Sequence, residues 1–584
     1  MKAFLRSVNS DHFSGNASVD SFLRRVSGHL AQIGQGLPRS LFTRFQENDF
    51  VRKEGNVQPL ILPEKTLATS YLEAYFDHGN ATCRFLPREQ SFALLDRLYT
   101  NHEELFQECA NSALILFLIG TGCVWTASWR NEIVAPWRAK ALPFYQAADS
   151  QLEKVNRIFP PNISVLQAQV LKCQCELVFG RFNSAWMSLG LAVRLSQMID
   201  IQREQQLATL EPFEAFLRRR IFWAMYMIDR YLAVILGRPM AIQESDITVV
   251  LSSEIENTIL NRVDSSERKL LIGTVLHYQL VKIIGRATTQ LYPATSQSHH
   301  PADMVIENLE SDLRSWLNST PSFFDPLNDG SARGEEQFYD IPWILKRQQR
   351  TVKAAFYFAN MLIYRGHLLR EFRCQEPSTP HSNPLSARVE KCVDNALSMI
   401  SLAADFGINE CRYNGTFWIT SHFLFCAISI LLVYLTMCRD PEQRTRVENA
   451  VEDAMAFHRK LDSSVNISAQ RLLDESQWRA QIIGSLNSPT SLAIGTTYGT
   501  DVNYQSSQEV AMNNELQYKG TVDSTALPLN PEGEASLESN QDISQLDTLV
   551  SDSFGTSRGF DMIMDIGFDN IRFPETFTQQ SHFL

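Results

Sequence analysis

The feature that most constrains this chain is the spacing of its apolar residues. From residue 61 to about residue 487 they return every three or four positions, and alternating stretches are scarce. That period puts them on one side of an α-helix, whereas a half-buried strand needs a period of two. The pattern breaks at Pro160-Pro161, around Tyr292–Pro301, at Asn318–Gln337 and at Glu376–Ser386, all rich in Pro, Gly, Ser or Asn. The chain therefore reads as all-α, with one large multi-helix domain over 61–487. Segment 165–199 reads as a helix hairpin turning at Gly180, with no repeat at a fixed period. Residues 1–60 are polar, rich in Ser, Gly and Arg, and read as a flexible lead-in. After 487, Ser, Thr, Asn, Gln, Asp and Glu dominate, too polar to offset chain entropy by burial, so 488–584 is expected to be a disordered tail.

Charge is distributed unevenly. Residues 501–584 hold 14 Asp/Glu and three Lys/Arg and so carry −11 of the net −12. No block of the chain has the concentrated basic character of a surface that reads DNA. The ten cysteines scatter through apolar segments, without the two-residue spacing of a zinc site, and read as free thiols. Cys173 and Cys175 would point about 200° apart on a helix, poorly placed to share a metal. Residues 413–438 carry no charge and contain a long apolar run around Phe423–Val433. A membrane span and a buried helix share that pattern. The polar Asn414, Thr420, Ser421 and His422 and the lack of a convincing second span favour the buried helix.

Enzyme motifs are nearly absent. There is no phosphate loop and no His-Glu-x-x-His. Gly555-Thr556-Ser557-Arg558-Gly559 imitates a nucleophile elbow but lies in the acidic tail, without the strand–turn–helix setting the elbow needs. His299-His300 sits in a Pro/Ser loop and reads as a solvated pair. No residue is a catalytic candidate and no cofactor is expected.

Segment 213–251 is the informative one. Phe213, Leu217, Ile221, Ala224, Ile228, Tyr231 and Ile235 share a helix face. Phe222, Trp223 and Tyr226 widen the apolar surface until it nearly surrounds the helix. Gly237 then supplies a left-handed stop and Pro239 forbids continuation. The triplet Arg218-Arg219-Arg220 has the composition of a nuclear localisation patch, but on this helix packed stems with solvated or paired heads are favoured.

The residues Arg219-Arg220-Ile221-Phe222-Trp223, Tyr226, Asp229-Arg230, Leu236-Gly237-Arg238-Pro239 and Asp246-Ile247-Thr248-Val249 resemble the signature of the fungal-specific transcription factor domain, the middle homology region of zinc-cluster regulators. Tyr71–Phe76 with Phe85-Leu86-Pro87-Arg88 and Phe92 is similar to the start of that domain, and Gly190–Ser196 to the helix before the signature. The resemblance spans roughly 60–490. Its structural residues here are Arg219, Arg220, Trp223, Tyr226, Asp229, Arg230, Gly237, Arg238, Pro239 and Asp246. It implies a regulator of RNA polymerase II genes acting in the nucleus. It also implies a helical regulatory and dimerising body, with transcription machinery or a coactivator as partner. Family members carry six cysteines holding two zinc ions near the N-terminus, yet residues 1–60 have no cysteine. Either the module is lost or the sequence starts downstream of it. Direct DNA binding by this chain alone is not expected, and a homo- or heterodimer with a DNA-bound factor would supply it.

Within the tail, segment 547–577 interleaves acids with large apolar groups. At helical spacing Phe560, Met564 and Phe568 form one line and Asp561, Asp565 and Asp569 the next. This is the composition of an activation segment, whose carboxylates keep its aromatics in water until a coactivator groove captures them. A solubilising tail that docks on the helical domain is the alternative. For the whole chain the alternatives are a helical small-molecule sensor without transcriptional output and a membrane-attached helical protein.

Overall fold

A computed structural model describes residues 16–32, 60–155, 161–251, 265–293, 302–327, 342–374, 386–409, 417–438, 440–458 and 571–572. The Pro212–Leu236 helix that the apolar pattern marks is buried along most of its length. In chain order the helices are α1 (Val19–Gln32), α2 (Lys65–Ala74), α3 (Arg88–Thr100), α4 (His102–Gln107), α5 (Cys109–Arg130), α6 (Val134–Val155), α7 (Ile163–Val178) and α8 (Phe182–Met198). They continue with α9 (Glu204–Leu207), α10 (Pro212–Leu236), α11 (Ser265–Leu291), α12 (Ala302–Ser319), α13 (Trp343–Cys374), α14 (Ala387–Asn409), α15 (Trp418–Leu435) and α16 (Pro441–His458). The one strand pairing among the described residues joins β1 (Leu60–Ile61) in parallel to β2 (Ile571–Arg572). The protein is thus all-α, and one continuous apolar core runs from α1 to α16.

Local chemistry sets the helix ends. Glu211 caps α10, its carboxylate accepting from the Phe213 and Glu214 amides at 2.9 and 3.3 Å, with Pro212 in the first turn. Gly237 closes the same helix at φ 65°, ψ 33°, a left-handed conformation glycine adopts without a Cβ clash. Gly180, at φ 77°, turns the α7–α8 hairpin as its sequence implied. The Asn162 side chain caps α7 by accepting from the Val165 amide at 2.9 Å.

Three features differ from the sequence reading. Residues 1–60 are not loose throughout. Val19, Phe22, Leu23 and Val26, spaced for one helix face, insert α1 into the core, and Ser18 caps it by accepting from the Ser21 amide at 3.1 Å. Phe213, assigned to the buried face of α10, is 41% exposed at the first turn of the helix. A second helix, α5, is also long and apolar enough to cross a membrane by length and composition. Its most apolar stretch is 89% buried, and that of α15 is 83% buried. Each packs against several other helices of the body, α5 on α2, α6 and α7, and α15 on α13, α14 and α16. Finally, the helices described end at His458, so the expectation for 459–487 lies outside the described residues, as does nearly all of the 488–584 tail.

Candidate functional site

The 219–249 segment folds back on itself, and its charged residues hold the fold in place. Asp229 sits 2% exposed in the middle of α10. Its carboxylate accepts from the Ala241 amide at 2.9 Å and the Ile242 amide at 3.2 Å, both in the chain beyond Gly237 and Pro239. Arg230 Nη1 donates to the same carboxylate at 2.5 Å, and Arg230 Nη2 reaches Glu244 Oε1 at 2.8 Å. The Tyr226 hydroxyl donates to that same Glu244 oxygen. The Arg230 guanidinium lies 4.0 Å from the centroid of the Tyr226 ring. Asp229 thus caps the returning strand of chain from inside the helix, and Arg230 balances Asp229 and Glu244 together. Burial raises the Asp229 pKa, against the pull of Arg230 and the two amides. Burial also disfavours the Arg230 charge, but Tyr226, Asp229 and Glu244 outweigh it and keep its pKa above the ordinary value. Gly285 on α11 makes room for this arginine, since a Cβ there would stand 3.0 Å from its Nε.

The ends of the segment are tied in the same way. Arg219 forms a two-pronged ion pair with Glu204 of α9. Glu204 Oε2 also accepts from the Val250 amide at 3.1 Å, while the Gln202 carbonyl accepts from the Thr248 and Val249 amides at 3.0 Å. Arg238, just past the stop, bonds to the Asn183 side chain and lies 4.6 Å from the ring centroid of Trp186, fixing the turn to α8. Arg218 pairs with Glu214 at 2.6 Å, and Arg220 is buried with its guanidinium 5.2 Å from the Phe216 centroid. The arginine triplet is therefore built into the packing of the helix.

Tyr231 extends the network to the start of the domain. Its hydroxyl is 2.6 Å from His277 Nε2, and His277 Nδ1 is 2.8 Å from Thr82 Oγ1. Burial pushes the His277 pKa down to about 3, so the ring is neutral and serves as one donor and one acceptor.

Of the signature residues, Tyr226, Asp229 and Arg230 meet in one network with Glu244, whereas Arg219, Arg220 and Trp223 lie earlier on α10 and Gly237, Arg238 and Pro239 form its stop. Asp246 does not join them: it is exposed in a short 3₁₀ turn beside Ser245. The acid that matters in that turn is Glu244. Sequence reading missed it, along with Glu204, Asn183, His277 and Thr82, because each meets the signature through tertiary folding. Phe560, Met564 and Phe568 lie outside the described residues.

This geometry coincides with a family match. Residues 72–318 match the fungal specific transcription factor domain. The chain carries that domain. The match begins in α2, contains the whole signature and ends in α12, while α13–α16 pack on the same core beyond it. The chain is 21% identical over 400 residues to "Activator of stress genes 1" of Saccharomyces cerevisiae, covering 66% of this chain and 40% of that protein. It is 20% identical over 407 residues to "Activator of stress genes protein 1" of Candida albicans, covering 64% and 40%. The "Fusaridione A cluster transcription factor fsdR" of Fusarium heterosporum is 23% identical over 398 residues, covering 64% of this chain and 72% of its own length. The chain spans about two fifths of the length of the first two relatives.

Proposed function

We propose that this chain is a nuclear regulator of RNA polymerase II transcription, pathway-specific and without catalytic activity. The supporting observation is the fungal-specific domain match over 72–318, with its signature folded as one locked unit. Three relatives named for activation or transcription factor activity point the same way. In this reading the helical domain is the regulatory and dimerising body. In this reading a DNA-bound partner makes the DNA contact, since these 584 residues show no concentrated basic block. Activation is assigned to segment 547–577, through Phe560, Met564 and Phe568.

The test is a reporter assay with residues 540–584 fused to a foreign DNA-binding domain. Activation is expected, with most of it lost when Phe560, Met564 and Phe568 become Ala together and little lost in Ser557→Ala. An expressed, nuclear but inactive fusion would reject the activation role. Equal loss from Ser557→Ala would reject the aromatic line as its cause.

A further inference from the structure

Two hollows meet where the 243–251 segment, α11 and α12 come together. One, of about 700 Å³, lies between α11 and α12. The other, of about 540 Å³, lies against Trp223 and the 247–251 segment. They share Glu244, Gln279 and Lys282 and so form one groove, of the size that takes a small molecule.

The charged groups of the wall differ in their partners. Arg286 is held by Asp312. Glu244 carries Tyr226 and Arg230 on one oxygen and is half exposed. Lys282 is exposed and has no carboxylate within salt-bridge distance among the described residues; its ammonium stands 5.7 Å from the Trp223 ring centroid. Trp223 itself is 3% exposed, and its indole Nε1 is buried without a hydrogen-bond partner. Trp223 lines the groove beside Lys282, whose charge also acts on Glu244, so an acceptor that reaches the exposed ammonium would lie next to the indole ring. The two carboxylates of the wall, Glu244 and Asp312, call in turn for a donor.

We propose that this groove binds a small organic carboxylate that also carries a hydroxyl or ammonium group. The carboxylate sits on Lys282, beside Trp223, and the donor faces Glu244. Glu244 belongs to the lock around Arg230, so an occupant bears directly on the segment that follows Gly237. This site does not depend on the transcriptional reading, and its test involves no reporter.

The test uses the full chain labelled with ¹⁵N at its nine tryptophans. Trp223→Phe assigns the Trp223 indole signal. L-malate and L-glutamate are titrated as carboxylates with a donor, succinate as one without, and inorganic phosphate as an anion of another kind. At least one of the first two is expected to move the Trp223 signal saturably, malate alone marking the hydroxyl and glutamate alone the ammonium. Lys282→Ala should weaken that binding by about tenfold or more and leave the ligand-free melting temperature unchanged, because the ammonium is exposed. No response to either up to about 20 mM, an equal response in Lys282→Ala, or an equal response to succinate or phosphate would overturn the proposal.

Discussion

Asp229→Ala is expected to destabilise the helical domain by about 3–5 kcal/mol, the cost of removing one partner from a buried ion pair. The substitution leaves Arg230, 1% exposed, with the half-exposed Glu244 as its remaining carboxylate. It also takes the acceptor from the Ala241 and Ile242 amides. A loss of that size is comparable with the entire stability of many domains, so poor accumulation of soluble protein is part of the expectation. A second variant separates stranded charge from lost packing. Asp229→Ala combined with Arg230→Met should be less destabilised than Asp229→Ala alone, because it leaves no buried cation. Chemical denaturation followed by circular dichroism measures both. A single variant as stable as the parent, or a double variant worse than the single by the full cost of each change, would show that the pair does not hold the hairpin.

Gly122→Val should be similarly damaging, for a steric reason. Gly122 lies on α5 where α2 crosses it, and a Cβ at this position would overlap the carbonyl oxygen of Tyr71. The obstacle is backbone of another helix, which no rotamer change can clear. The expected loss is about 3 kcal/mol, at the upper part of the range for overpacked cores. Gly190 on α8 is the control. A Cβ there meets nothing within 4 Å, and the residue lies inside the helix. Gly190→Ala should therefore stabilise by about 0.5–1 kcal/mol, through the better helix propensity of alanine. Thermal melts of the two variants should shift in opposite directions. A tolerated Gly122→Val would mean that α2 and α5 do not cross as closely as described.

The parts of this fold that were readable in sequence are those set by neighbours along the chain. Gly237 and Pro239 end α10 through their own backbone preferences, and the three-to-four spacing around Phe222 and Trp223 already implied a helix buried on most sides. Asp229 and Arg230 were recognisable only as members of a pattern. Their roles depend on Ala241, Ile242 and Glu244 returning past the stop, and no local preference encodes that return. Asp246 stood out in the pattern but is exposed, whereas Glu244, two residues earlier, closes the network because the 3₁₀ turn directs it at Arg230. The partners Glu204 and His277 come from separate helices, so only tertiary packing reveals them. The helix Val19–Gln32 was missed for another reason: its four core residues are diluted by a polar segment whose average composition resembles a linker. Helices α5 and α15 mark the limit of hydropathy, since both are long and apolar enough for a bilayer and both are covered by protein.

The proposal that this chain regulates transcription is most directly tested by chromatin immunoprecipitation of the epitope-tagged full chain from its own host. The expected result is enrichment at a defined set of promoters whose genes change expression when the chain is deleted. A tagged chain that is expressed and folded, yet shows no promoter enrichment above an untagged control, would contradict it.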